Sequence, residues 1–321
     1  MTHADVKAGV GVNWGFLGDN QSSPSQVVSL LQSRNIKQVR FFEPRADVLS
    51  ALQGSGISVI LGTRNEDLPS LASDPSFATQ WVQTNVVPFA SGLNFRCIAA
   101  GNEVIRSQLG TYLPMAMQNL DAALKAASLA VPVSTSVPLD ILATSYPPSM
   151  GSFTDQASSI MTDIAKFLDT HGYPLLANVY PYFAYAGDQV NIRSDYALFT
   201  DPSPSVTDGN LHYSNLFDAM VDSLYAALEK VGSPNLEIVV SESGWPSDGN
   251  GEITTPQIAQ TYDTNLISHV TSGNGTPRRP NKQIESYIFG LFNENQKPEG
   301  VEQHWGLFNP DMTEVYHVDF P

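Results

Sequence analysis

A single cysteine, Cys97, stands among 321 residues, so no disulfide can form within the chain. Its setting, Phe95-Arg96-Cys97-Ile98, reads as a buried strand. Basic residues are also scarce: 16 Lys and Arg face 32 Asp and Glu, giving a formal net charge of −16. A surface of that sign repels polyanions, which argues against a nucleic-acid partner and suits a neutral substrate. No run approaches the roughly 18 apolar residues needed to cross a bilayer, so no membrane partner is expected. The six histidines are scattered, and neither His-Glu-x-x-His nor paired cysteines occur. No metal or other cofactor is therefore expected, and His171, His212 and His304 read as surface or structural residues. Ser243 lacks a Gly-x-Ser-x-Gly elbow, and Gly9-x-Gly11 is followed by Trp14 where a dinucleotide fingerprint wants glycine.

What is present is an alternation. Short apolar or β-branched runs are separated by longer segments with helical periodicity, the pattern of repeated βα units around a parallel sheet. Eight strands are predicted: Val10 to Asn13, Gln38 to Phe41, Ser58 to Leu61, Phe95 to Ala100, Val133 to Val137, Leu175 to Val179, Glu237 to Ser241 and Glu285 to Phe289. Helices are predicted at Gln26 to Arg34, Leu113 to Leu129, Phe217 to Val231 and Pro256 to Val270. The expected fold is α/β: a (β/α)8 TIM barrel forming one domain over 1–321. Two connections are long, Pro138 to Ser158 and Tyr180 to Ser214, and the second is expected to carry a small hairpin near Tyr196 to Phe199. After strand eight, Lys297-Pro298-Glu299-Gly300 and Asn309-Pro310 predict an irregular last α-unit.

Catalytic groups of such barrels sit at the C-terminal ends of strands. The residues that follow the eight runs include Asn13, Trp14, Asn102, Glu103, Tyr180, Glu242, Asn293 and Glu294. Glu103 closes Ile98-Ala99-Ala100-Gly101-Asn102, and Glu242 closes Ile238-Val239-Val240-Ser241. Two carboxylates are the minimum for glycoside hydrolysis, one to protonate the leaving oxygen and one to attack or to activate water. Each alone reads equally well as a helix cap or an ion-pair partner. Tyr180, Tyr182, Phe183, Trp245 and Phe292 concentrate aromatic surface at the same strand ends, suited to the apolar faces of sugar rings, with about half expected to line a cleft. Glu294 and Lys297, three apart, also read as a solvated ion pair worth at most about 1 kcal/mol.

The chain resembles plant-type endo-1,3-β-glucanases of glycoside hydrolase family 17. The resemblance is carried by Gly9-Val10-Gly11-Val12-Asn13-Trp14-Gly15, Gly101-Asn102-Glu103-Val104, Asn178-Val179-Tyr180-Pro181-Tyr182-Phe183, Ser241-Glu242-Ser243-Gly244-Trp245-Pro246 and Phe292-Asn293-Glu294-Asn295-Gln296-Lys297. It implies Glu103 as acid/base, Glu242 as nucleophile, Glu294 and Lys297 as a supporting pair in the active site and Tyr180 at the cleavage subsites. From their place at strand ends, Asn102 is a further candidate for active-site support, and Tyr182, Phe183, Trp245, Phe292, Asn293, Asn13 and Trp14 are candidates for substrate binding. The implied partner is a β-1,3-glucan, and a monomer is expected. Asn13-Trp14-Gly15 and Arg40-Phe41-Phe42-Glu43-Pro44 depart from the family's usual Cys-Tyr-Gly and Arg-Leu-Tyr-Asp-Pro motifs at strands one and two.

Hydrolysis of mixed-linkage 1,3-1,4-β-glucan and transglycosylation use the same carboxylate pair, and a glucan-binding barrel without catalysis is the alternative from another class. The opening Met1-Thr2-His3-Ala4-Asp5 has no apolar h-region, which leaves a cytosolic chain or the mature form of a secreted one. The resemblance implies secretion to the wall space or a vacuole, where sequons at Asn20-Gln21-Ser22 and Asn274-Gly275-Thr276 would permit glycosylation.

Overall fold

Runs such as Val10–Asn13 and Leu175–Asn178 are buried at every position, which a strand tolerates when both of its faces are covered. In the computed structural model, which describes residues 9–321, eight such strands close into a barrel: β1 (Val10–Asn13), β2 (Gln38–Phe41), β3 (Ser58–Gly62), β4 (Asn94–Asn102), β5 (Val133–Pro138), β6 (Leu175–Asn178), β7 (Ile238–Ser243) and β8 (Ser286–Ile288). Strand order around the barrel follows chain order, with β8 returning to β1. The β1–β8, β3–β4, β4–β5, β5–β6 and β7–β8 pairs are parallel. All eight predicted strands are barrel strands, and β4 and β7 run past their predicted ends to Asn102 and Ser243.

The helices are α1 (Pro24–Ser33), α2 (Ala46–Leu52), α3 (Leu68–Ser73), α4 (Pro75–Asn85), α5 (Leu113–Ala126), α6 (Asp155–His171), α7 (Pro181–Gly187), α8 (Ser194–Ala197), α9 (Leu216–Lys230) and α10 (Pro256–Thr271). Their starts are written in the sequence. Proline opens α1, α4, α7 and α10, where its missing N–H costs nothing. Thr154 and Thr255 cap α6 and α10 by accepting from the Ala157 and Ile258 N–H groups. Gly172, at φ +66°, ends α6 in the left-handed conformation that a side chain resists.

One sequence expectation is corrected. Tyr196 to Phe199 holds no hairpin: Ser194–Ala197 is the helical turn α8, and Tyr196 is buried against Tyr213 and Ala219. The hairpin of this excursion pairs Val206–Asp208 with Leu211–Tyr213. Its turn is Gly209-Asn210, between the paired Asp208 and Leu211, with Gly209 at φ +61°, the conformation that favours glycine at the first position of a two-residue hairpin loop. After β8 the described residues carry only the short 3-10 turn Val301–Gln303, as the prolines and glycines there predict.

The chain divides into two compact units. One comprises Val39–Asn178 and Ser223–Val239; within it α5 packs on α3, α4 and α6, burying Leu113, Met117, Leu120 and Leu124 on one stripe. The other comprises the segments through Gln38, Val179–Asp222 and Val240–Pro321, and within it α10 packs on β1.

In this second unit the Tyr316 hydroxyl donates to Asp263 Oδ2 at 2.8 Å. Asp263 Oδ1 has no partner among the described residues. Complete burial pushes this carboxyl up to about 8 from 3.8. The native state therefore holds a proton that the unfolded chain releases above pH 3.8. The stability this contributes is complete below that pH and is lost as pH rises through about 8. Asp263→Asn keeps the neutral form at every pH. Its thermal midpoint, compared with that of the wild type, is expected to gain steadily between about pH 5 and about pH 8; a constant difference would show that native Asp263 is ionised in this range, as it is in the unfolded chain.

Candidate active site

The C-terminal end of β4 leaves its ladder in an irregular way. Register with β5 shifts between Ala99 and Asn102, Gly101 has φ +64° and Glu103 has φ +57°. A non-glycine residue in the left-handed region costs of order 1–3 kcal/mol and persists where its surroundings over-determine it. Those surroundings are side chains. Gly101 N–H donates to Thr63 Oγ1 (3.0 Å), Asn102 N–H to Asn65 Oδ1 (2.8 Å) and Glu103 N–H to the Ser136 carbonyl (3.0 Å). A β-carbon at residue 101 would lie 2.8 Å from Leu68 Cδ1, so glycine is required there twice over.

Glu103 is thereby turned out to an exposed position. Asn178, the last residue of β6, donates through Nδ2 to Glu103 Oε1 (2.8 Å) and to Asn102 Oδ1 (3.2 Å). Beneath both asparagines lies Arg40, 1% exposed, whose guanidinium donates to Asn102 Oδ1 at 2.8 Å and to Asn178 Oδ1 at 3.5 Å. It sits 4.6 Å from the Phe42 ring centroid. Ser136 Oγ donates to the same Asn178 oxygen at 3.3 Å.

The end of β7 has the same character. Register with β8 shifts between Val240 and Ser243, and Glu242 lies inside that interval. Its carbonyl accepts from Val179 N–H (2.8 Å), and its carboxylate Oε2 accepts from the Tyr180 hydroxyl at 2.6 Å. Unlike Glu103, Glu242 is buried. The half-buried Tyr180 ring is held edge-to-face by Phe183, Phe289 and Trp305, with centroids 5.4, 6.2 and 5.2 Å away. Trp305 also meets Tyr182 and Phe183, each at 5.6 Å.

Glu294 and Lys297 form a pair at 3.1 Å that is not solvated: their side chains are 7% and 15% exposed. Lys297 Nζ lies 4.3 Å from the Phe289 ring centroid, a cation–π contact. Of the two readings of this pair, the solvated one does not hold: the pair is largely desolvated. Asn293, half-buried, accepts from Gly306 N–H and donates to Asn309.

Of the residues expected around a substrate, Phe183 is 49% exposed and Tyr180 keeps part of its surface. Asn13, Trp14, Tyr182, Trp245 and Phe292 are all buried. Asn13 Nδ2 donates to the Ile288 carbonyl, Trp245 Nε1 to the Ile253 carbonyl, and the Tyr182 hydroxyl accepts from Asn250. Phe292 packs on Phe308, and Trp14 on Phe16. Three others escaped the sequence reading: Arg40 and Asn178 look like interior strand residues, and Trp305 sits in an irregular segment without periodicity. No group of three or more His, Cys, Asp or Glu among the described residues is arranged to hold a metal ion.

The family model for glycosyl hydrolases family 17 matches residues 10–320. A glucan endo-1,3-β-glucosidase of Vitis vinifera is 50% identical over 97% of this chain and 91% of its own. The glucan endo-1,3-β-glucosidase GV of Hordeum vulgare is 49% identical, covering 97% of this chain and 98% of its own. Among solved structures, CJP38, a β-1,3-glucanase and allergen of Cryptomeria japonica pollen, superposes with a TM-score of 0.94 at 48% identity, over 97% of this chain and 99% of that one.

Asn178→Ala removes the amide that reaches Asn102 and Glu103 and the oxygen that receives Arg40. Leaving a buried guanidinium short of an acceptor costs about 1–3 kcal/mol. The urea midpoint is expected to fall accordingly with the slope unchanged, and an unshifted midpoint would show that the Arg40–Asn178 contact carries no stability.

Proposed function

The chain belongs to glycosyl hydrolase family 17, and from that premise we propose that it is an endo-acting 1,3-β-glucan hydrolase that works by double displacement, with Glu242 as nucleophile and Glu103 as acid/base. The observation that carries the reading is shared by the two residues. Each glutamate stands at the C-terminal end of a barrel strand, at a break in the ladder, and each has one carboxylate oxygen fixed by a neutral donor: the Asn178 amide for Glu103, the Tyr180 hydroxyl for Glu242. Ladder breaks beside functional sites re-aim side chains, and the strand ends of such barrels carry the chemistry.

In the first step the Glu242 carboxylate attacks the anomeric carbon while Glu103 gives its proton to the glycosidic oxygen, which leaves as an alcohol. In the second, Glu103, now a carboxylate, takes a proton from water, whose oxygen displaces Glu242 and restores both groups. Two inversions give net retention. The contrast in setting supports the division of labour. Buried Glu242, with Oε2 held by the Tyr180 hydroxyl, suits a group that must attack along one line, and exposed Glu103 suits one that exchanges protons with leaving group and water. The names of the relatives support the 1,3 linkage. A monomeric state and secretion to a wall or vacuolar space belong to the same proposal.

Laminarin is the expected substrate, cut faster than lichenan, with cellulose untouched in a reducing-sugar assay. Cellulose degraded at a comparable rate would overturn the linkage. Proton NMR early in hydrolysis is expected to show the β-anomer first; initial α-anomer would remove Glu242 from the nucleophile role. The two glutamates should then separate by substrate. Glu242→Gln is expected to cleave nothing, whereas Glu103→Gln should still be glycosylated by an activated aryl glycoside and then stall. The opposite pattern would interchange the roles.

A further inference from the structure

Residue 15 is a glycine for an uncommon reason. Its backbone lies outside the left-handed region, so its conformation is open to any residue. What a side chain would meet is the Glu294 carboxylate: a β-carbon on residue 15 would stand 2.4 Å from Glu294 Oε1, 2.6 Å from Oε2 and 2.7 Å from Cδ. Around this contact the segment after β1 and the segment after β8 are bound to one another group by group. Leu17 N–H donates to Glu294 Oε1 (2.7 Å), and Gln296 N–H donates to the Leu17 carbonyl (2.9 Å). Asp19 N–H donates to Asn295 Oδ1 (3.2 Å), and Asn295 Nδ2 returns a bond to Asp19 Oδ1 (2.7 Å). Gln21 closes the turn by donating to the Gly15 carbonyl at 3.0 Å.

The carboxylate held this way has its other oxygen 3.1 Å from Lys297 Nζ. Lys297 lies over Phe289, and the Phe289 ring stands edge-on to Tyr180, which donates to Glu242. We propose that Gly15 is a positioning residue: by leaving no side chain, it seats the Glu294 carboxylate between Leu17 N–H and Lys297, and so fixes the ammonium and the aromatic rings behind the Tyr180–Glu242 pair. The inference rests on the proposed role of Glu242. It assigns loop 15–21 a part in catalysis without contact to substrate. Because the atoms that a methyl group would strike are the far end of a flexible side chain, Gly15→Ala is expected to fold and to displace Glu294 alone.

The test is a cycle on the full chain with laminarin: wild type, Gly15→Ala, Glu294→Ala and the double variant. Displacing a group of the catalytic apparatus by about an ångström costs about 100-fold, so kcat of Gly15→Ala is expected to fall on that scale with KM nearly unchanged. In the Glu294→Ala background the three atoms nearest the added methyl are gone, and the double variant is expected to match Glu294→Ala. Losses that multiply, or a double variant that fails to fold, would show that Gly15 acts through the backbone and would overturn the proposal. A crystal structure of Gly15→Ala provides a readout besides turnover: the Glu294 carboxylate is expected to leave Leu17 N–H, and an unmoved carboxylate overturns the proposal on any substrate. Wild type inactive on laminarin would defeat the substrate reading, leaving the seating of Glu294 to be judged by that crystal structure.

Discussion

A strand that delivers a catalytic group must stop being a strand while its backbone groups stay hydrogen-bonded, and the strand ends of this barrel are organised by that constraint. An unpartnered backbone group away from water costs as much as a lost hydrogen bond. At β4 the partners come from side chains of the preceding strand's loop, Thr63 and Asn65, and from the Ser136 carbonyl. At β7 the Glu242 carbonyl takes the Val179 N–H, and the Ser243 carbonyl takes the Phe289 N–H. With these bonds made, the chain can shift register at both ends without leaving polar atoms stranded. At β4 that freedom is used to hold Glu103 at φ +57°.

The asparagines that follow from this arrangement need a fixed direction, and Arg40 gives it. Burying a guanidinium carries a desolvation penalty of several kcal/mol that hydrogen bonds only partly offset. An apolar residue of similar volume would pack at lower cost. What the cation adds is polarity of orientation. A group with no acceptor sites forces Asn102 and Asn178 to turn their oxygens inward, and the Asn178 amide is then left facing Glu103. A neutral side chain such as glutamine could satisfy either orientation and would not choose.

The strands were legible because parallel strands buried on both faces are nearly continuous apolar runs, and the glutamates because they terminate two of those runs. The hairpin lies further along the excursion than the expectation near Tyr196 to Phe199, around Gly209-Asn210, and that dipeptide is the local and specific turn signal. How deeply the strand-end aromatics are buried is not legible for another reason. Residue type reports that Trp245, Tyr182 and Trp14 are amphipathic, but not which part of each is wet, and in this fold their polar atoms face inward or are taken up by the chain. Arg40 is the reverse case: a charged residue inside an otherwise apolar strand, whose significance lies in partners 62 and 138 positions away along the chain.

The two supports also differ in kind, and this bears on how the chain can change. Around Glu103 the support is hydrogen-bonded, directional and built from Arg40, Asn102, Asn178 and Ser136. Removing one member leaves the others with unmet bonds, so stability and geometry fall together. Around Tyr180 the support is a set of aromatic rings meeting edge to face. Contacts of this type are individually worth about 0.5–1.5 kcal/mol and yield gradually to a change of shape. Substitutions that reshape the Phe183 and Tyr180 surfaces can therefore accumulate on the aromatic side at small cost to the fold. The polar side tolerates few, and it is the side that sets the orientation of Glu103.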